Sequence, residues 1–69
     1  MTEPTTPTDL AALPREALRA QMKALGQPAY RGDQVFRWIW GRGARVFDEM
    51  TDLPAALRAR LSEECALQL

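Results

Sequence analysis

The sequence predicts an all-α fold, a small bundle of three main helices and one short helical turn. Two stretches with apolar residues at helical spacing flank a central stretch, YRGDQVFRWIWGRG at residues 30–43, which contains both tryptophans. Glycine or proline separates each stretch from the next, and no stretch shows the pattern of a strand. The connections between the stretches are only a few residues long, and short connections favour helical-hairpin packing.

The first eight residues, MTEPTTPT, are rich in proline and threonine and contain no apolar residue after Met1. Such a segment gains too little from burial to offset the entropy lost on ordering. We therefore predict a flexible leader over residues 1–8 and one helical domain over residues 9–69.

The first helix is predicted to run from Pro14 to Leu25. Proline suits the first helical position, where its missing N–H would have no partner, and Gly26 suits the left-handed position just past the end. The apolar side is formed by Ala17, Leu18, Met22, Ala24 and Leu25, and the outer side carries Arg15, Arg19 and Lys23 at four-residue spacing. For the outer side we favour a solvated charged face over a stripe that contacts a polyanion.

The central helix is predicted from about Arg31 to Trp40. At about 100° per residue, one broad side holds Val35, Phe36, Ile39 and Trp40, and Trp38 extends it. A surface helix has a narrower apolar stripe, so we expect this helix to be nearly surrounded by the others, with Trp40 buried.

Two sets of arginines on and after this helix differ in their expected partners. Arg37 follows Asp33 by one turn, the spacing of a local ion pair, and we favour that pair over an RNA contact. Arg31 and Arg42 have no partner at helical spacing, so both are better placed to bind something outside the domain.

The last helix is predicted over roughly Pro54 to Glu63, with an inward stripe of Leu53, Leu57 and Leu61. Before it, the segment VFDEM at residues 46–50 predicts a short helical turn that places Phe47 on the central helix.

The composition excludes most catalytic sites. One cysteine, Cys65, and no histidine among 69 residues leave no ligand set for a metal or an iron–sulfur cluster and no imidazole base for a nucleophile. We predict no catalytic, cofactor-binding or metal-binding residue, and we assign Cys65 to apolar packing or to an exposed position. No apolar run is long enough to span a membrane, so the expected location is the cytoplasm.

The net charge is zero, but its distribution is uneven. Residues 31–45 hold four arginines and one aspartate, a net charge of +3, whereas residues 46–69 carry a net charge of −3. This dipolar layout can steer a polyanion to one side, although overall neutrality argues against strong independent binding of nucleic acid. From the residues alone, the chain is predicted to be a binding or accessory module.

Three segments resemble a known family. YRGDQVFRWIW at residues 30–40 and FDEMTDLPAALRARL at residues 47–61, with ALRAQMKALGQPAY before them, are similar to the N-terminal domain of the radical S-adenosylmethionine RNA methyltransferases. That dual-specificity family methylates carbon 2 of adenine in 23S ribosomal RNA and tRNA. The pattern of Tyr30, Arg31, Gln34, Trp38 and Ile39 followed by FDEMT carries most of the resemblance. This chain departs from the family at Gly32, where alanine is more usual, and at Trp40, where tyrosine is frequent.

The resemblance implies that the chain is a fragment of a methyltransferase, itself not catalytic, which docks RNA. The catalytic barrel would lie downstream with a 4Fe–4S cluster and S-adenosylmethionine, on positions that this chain lacks. Expected partners are rRNA, tRNA and that barrel, the expected state is a monomer, and the candidate RNA contacts are Arg31, Gln34, Arg37 and Arg42.

Three alternatives remain open. The domain could be purely structural and pack on the barrel, or it could belong to the sister family that methylates carbon 8 of the same adenine. An unrelated helical domain that binds DNA or protein is the third.

Overall fold

The computed structural model describes residues 8–67. Over that range the chain forms three α-helices, as the sequence predicts: α1 (Arg15–Ala24), α2 (Tyr30–Phe36) and α3 (Ala55–Glu64). A single turn of π-helix, Arg37–Gly41, continues α2, and 3-10 turns lie at Leu10–Ala12 and Phe47–Glu49. None of the helices in this range is long and apolar enough to cross a membrane.

One pair of short strands accompanies the helices, although the sequence predicts none. Thr8–Asp9 (β1) and Cys65–Ala66 (β2) pair in parallel, with Thr8 opposite Cys65 and Asp9 opposite Ala66. Two residues are too few to leave a periodic pattern, so this pairing depends on the tertiary fold that brings the two segments together. Residues 1–7 of the predicted flexible leader lie outside the described residues, and Thr8 belongs to β1.

The helix limits follow the predicted start and stop signals closely. Pro14 and Pro54, predicted to be the first helical residues, occupy the N-cap positions, so α1 and α3 each begin one residue later than predicted. Gly26 adopts a φ of +77°, the left-handed conformation expected just past the end of α1.

The core lies between the three helices and the two 3-10 turns. Its buried side chains include the predicted leucine stripe of α3 and most of the apolar side of α1: Leu18, Met22, Leu25, Leu53, Leu57 and Leu61, with Leu10, Val35, Ile39, Phe47 and Met50. Phe47 is buried, and the 3-10 turn that carries it packs against α3. Ala24 is exposed, because α1 turns that position away from the cluster.

Helix α2 returns alongside α1 and approaches it closely at Gly32. A β-carbon added at Gly32 would lie 2.6 Å from the Cα and N atoms of Arg19. Gly32, which stands where the resemblance would lead one to expect alanine, therefore allows a close helix–helix contact.

Candidate nucleic-acid interface

Trp40 is exposed, which contradicts the expectation that the central helix is nearly surrounded. Its side chain is 58% exposed, and Tyr30 at the other end of α2 is 52% exposed. Gly32 lies beside Arg19, and α1 begins only four residues before Arg19, about 6 Å away along the helix axis. Trp40 lies eight residues beyond Gly32, about 12 Å along the helix axis, so it extends past the start of α1 and lacks a covering helix in the described part of the chain.

Asp33 pairs with α1 and not with Arg37. Arg15 Nε donates to Asp33 Oδ1 at 2.8 Å, and Arg19 Nη1 donates to Asp33 Oδ2 at 2.5 Å. These two hydrogen bonds, first that from Arg15, lower the pKa of the Asp33 carboxyl from its ordinary value of 3.8. The predicted Asp33–Arg37 pair is therefore wrong, because two guanidinium groups one turn apart on α1 already occupy both carboxylate oxygens.

Arg37 is left exposed, and within residues 8–67 it forms no ion pair or side-chain hydrogen bond. It lies in the π turn, whose wide backbone ring is closed by the amide of Arg42 donating to the carbonyl of Arg37 at 3.2 Å. Single π turns occur often at functional positions of helices.

A groove opens beside Trp40, and we name it the Trp40 groove. Its walls come from the start of α1, the end of α2 and the π turn: Arg15, Asp33, Phe36, Arg37, Trp40 and Gly41. Its volume is about 370 Å³. The groove combines one exposed indole with an unpaired guanidinium, and so offers a flat apolar surface next to positive charge.

Arg31 and Gln34 form a pair on α2. Arg31 Nη1 donates to Gln34 Oε1 at 2.8 Å and to the Asp52 carbonyl at 3.4 Å, and its guanidinium lies 4.8 Å from the centre of the Tyr30 ring. The expectation that Arg31 lacks a partner at helical spacing is therefore wrong, because Gln34 lies one turn further along α2. The loop before α3 supplies a second acceptor. Both side chains are half-buried and are held together.

Arg42 and Arg45 follow the π turn. The Arg42 guanidinium lies 4.4 Å from the centre of the half-buried Trp38 ring, a cation–π contact that fixes its position. The side chain of Arg45 is exposed, whereas its backbone amide donates to Glu49 Oε1 at 3.2 Å. Together with Arg37 these residues form what we call the arginine segment, residues 37–45, and none of its three guanidinium groups has an acidic partner in the described structure.

The structure thus divides the four predicted contact residues into two sets. Arg31 and Gln34 lie near the start of α2, whereas Arg37 and Arg42 lie in the arginine segment. Arg15 and Phe36 of the groove were absent from the prediction. The spacing of Arg15 and Arg19 was a usable signal, because two arginines one turn apart can bracket a single carboxylate of a neighbouring helix.

The described residues do not fit the cofactors that the resemblance implies. Cys65 is their single thiol, and no group of three or more His, Cys, Asp or Glu side chains among residues 8–67 could hold a metal ion. An iron–sulfur cluster needs several thiolate ligands, and none of the interface residues described above has a thiol.

Comparisons with known protein sequences find RNA methyltransferases. Residues 8–67 match the family described as the ribosomal RNA large subunit methyltransferase N-terminal domain. The probable dual-specificity RNA methyltransferase RlmN of Heliobacterium modesticaldum is 51% identical over 57 residues, which are 83% of this chain and 15% of that protein. The enzyme named RlmN from Anaeromyxobacter dehalogenans is 49% identical over 55 residues, 80% of this chain and 15% of the relative.

A solved structure shares the fold. The radical SAM methyltransferase from Sphaerobacter thermophilus superposes with a TM-score of 0.83 at 37% sequence identity, over 90% of this chain and 18% of that one. The chain therefore spans less than a fifth of the length of these relatives. It belongs to the family of ribosomal RNA large subunit methyltransferase N-terminal domains.

Proposed function

We propose that this chain is the RNA-docking N-terminal domain of a cytoplasmic radical S-adenosylmethionine enzyme that methylates carbon 2 of adenine in 23S rRNA and tRNA. The names of the relatives support the dual-specificity substrate class. The 4Fe–4S cluster and S-adenosylmethionine would be held by other parts of the polypeptide, because the described residues lack the ligands.

The observation that carries the docking role is the arginine segment. Arg37, Arg42 and Arg45 are exposed and have no acidic partner among residues 8–67. Three exposed guanidinium groups within nine residues provide a compact positive surface, and the phosphate backbone is the natural partner of such a surface. Arg31 and Gln34 remain candidate contacts, already oriented by the hydrogen bond between them.

The experiment removes charge from the arginine segment in the complete methyltransferase. Replacing Arg42 and Arg45 together by glutamine should weaken binding of substrate RNA. The plot of log affinity against log salt should become shallower by about 2 on duplex RNA, since each phosphate contact contributes about 0.9. Lys23→Gln is a matched control, because Lys23 is an exposed cation on α1 outside the arginine segment. An unchanged affinity and slope in the double variant would contradict RNA docking.

A purely structural domain that packs on the catalytic barrel is the second candidate. Three large apolar side chains, Tyr30, Trp40 and Val46, are more than half exposed, as expected if another part of a longer polypeptide covers some of them. Under this alternative the double variant would bind RNA normally. The same domain in an adenine carbon-8 methyltransferase is a further alternative, which the methylated position in the product would identify.

A further inference from the structure

We propose that the Trp40 groove binds one unpaired nucleotide of the RNA, with the base stacked on the Trp40 indole and its phosphate held by Arg37. This inference rests on the proposed function, because it specifies which element of the docked RNA this domain recognises. It concerns residues on α1, α2 and the π turn that are distinct from Arg42 and Arg45.

The dimensions of the groove suit a ligand of this size. A volume of about 370 Å³ lies near the lower end of the usual range for small-ligand pockets, about 300–1,000 Å³. It can take one planar base with its sugar, and it is too small for a folded element such as a helix. The groove follows the side of the π turn, so a bound base would meet Trp40 and Phe36, which lie four residues apart on one side.

The aromatic wall supplies the stacking surface. Trp40 is 58% exposed, whereas Phe36 is half-buried and packs against the core behind it. Unstacked bases of single-stranded RNA are recognised by stacking on aromatic side chains, and any base can stack because each has a π face. In a duplex those faces are covered by neighbouring base pairs, so the groove selects an unpaired nucleotide.

The charges around the groove favour an anionic ligand. Asp33 is its acidic group, and both of its carboxylate oxygens are bonded to Arg15 and Arg19. Among the groove walls, Arg15 and Arg37 against Asp33 leave one positive charge, and Arg19, bonded to Asp33 from outside the groove, adds a second. Arg37 has its full hydrogen-bonding capacity available, because it forms no ion pair or side-chain hydrogen bond within residues 8–67.

The same charges argue against an apolar segment of protein as the occupant. Such a segment would cover Arg15 and Arg37 without supplying an acidic group to Arg37, and covering an unpaired charge is strongly unfavourable. A nucleotide satisfies both requirements at once, since its base meets the indole and its phosphate meets the guanidinium.

The test compares two RNA probes on the complete methyltransferase. One probe is a hairpin with an unpaired loop, and the other is the same stem closed into a fully paired duplex. Trp40→Ala should weaken binding of the loop probe by roughly 5- to 100-fold and leave the duplex probe within about twofold. Trp40→Phe should retain most of the loop affinity, because it keeps an aromatic face. Val46→Ala is the control for loss of another exposed apolar side chain.

The outcomes separate this inference from the proposed function. If Arg42→Gln with Arg45→Gln weakens both probes but Trp40→Ala changes neither, or changes both equally, RNA docks on the domain and the groove inference is wrong. If Trp40→Ala lowers the melting temperature of the complete enzyme by more than it lowers that of this chain alone, protein covers the groove and the inference is overturned. If the double charge variant has no effect on either probe, the proposed function itself fails.

Discussion

Gly32 shows how one missing methyl group can position two helices. In an ordinary helix interior, glycine to alanine stabilises by about 1 kcal/mol through backbone entropy. Here the added carbon would lie 2.6 Å from the backbone of Arg19, which cannot rotate away as a side chain would. Overpacking of this kind costs about 1–3 kcal/mol, so the clash outweighs the gain.

Gly32→Ala is therefore expected to lower the melting temperature by several degrees, since 1 kcal/mol corresponds to about 4–8 °C in a domain of this size. Gly41→Ala is the matched control, because a β-carbon there would meet only the Cγ of Arg37 at 3.6 Å, an ordinary contact. Thermal unfolding followed by circular dichroism measures both. Equal melting temperatures for Gly32→Ala and the parent chain would show that α1 and α2 can separate without cost.

Neighbouring positions 39 and 40 should respond very differently to truncation. Ile39 is almost fully buried, and Ile39→Ala should cost about 2–5 kcal/mol. Trp40 keeps more than half of its surface in water, so Trp40→Ala should cost only about 1 kcal/mol. Urea unfolding of both variants checks the difference, and a larger loss for Trp40→Ala would place the indole in the core after all.

At the scale of elements, the pair of arginines on Asp33 joins α1 to α2. The pKa of Asp33 is lowered in the folded chain, so its contribution is fully present above the ordinary carboxyl pKa of 3.8 and is lost as the pH falls below it. Asp33→Asn should therefore melt lower than the parent at neutral pH, and the difference should shrink as the pH is brought below about 4.

Melting curves at a series of pH values test this dependence. Asp48→Asn is the control, because the Asp48 side chain is exposed and forms no ion pair within the described residues. Arg58 donates to the backbone carbonyl of Asp48, which the substitution keeps. A difference between parent and Asp33→Asn that stayed constant down to pH 2 would contradict the assigned role of the carboxylate.

The elements differ in how far the sequence could predict them. The limits of α1 and α3 depend on proline, glycine and leucine spacing within the segment itself, so local patterns suffice. The exposure of Trp40 depends on where α1 begins relative to a different helix, and the Asp33 pairing depends on Arg15 and Arg19 arriving from that helix. Neither relation can be predicted from one helix alone. The periodicity of residues 35–40 therefore predicted correctly that Val35 and Ile39 are buried, but wrongly that Trp40 is.

The candidate interface was predictable to a similar extent. An excess of arginine over residues 31–45 is visible in the sequence, and Arg37 and Arg42 do lie exposed. Of the two acceptors of Arg31, Gln34 lies at helical spacing on α2 and could have been predicted, whereas the carbonyl of Asp52 lies 21 residues away in the chain. The walls of the Trp40 groove come from residues as far apart in sequence as Arg15 and Trp40. The groove therefore forms only when α1 and α2 pack together, and the sequence of either helix alone cannot predict it.

At the scale of the whole molecule, the pairing of β1 with β2 brings the two ends of the described chain together. Cys65 in β2 is only 7% exposed, and burial, followed by the nearby charge of Glu64, raises the pKa of its thiol. Because the thiolate is the reactive form, alkylation of Cys65 should be at least about tenfold slower in the folded chain than in denaturant.

The rate of Cys65 alkylation can therefore report whether β1 and β2 stay paired. Leu10→Ala removes a fully buried side chain next to β1 and should speed the reaction of Cys65 in native buffer. Val46→Ala, which changes an exposed residue, should leave the rate unchanged. Equally fast labelling of the folded and unfolded parent chains would show that the strand pair does not protect the thiol.

The placement of the two tryptophans also gives this chain an optical signal of its own. Its only indoles are the half-buried Trp38, covered by Arg42, and the open Trp40 beside Arg37. A dissolved anion such as iodide would collect near the guanidinium groups and collide with the outer indole, while caesium would be repelled from the same place. Stronger quenching of the tryptophan fluorescence by iodide than by caesium would thus report the positive electrostatic potential around Trp40 without an attached dye.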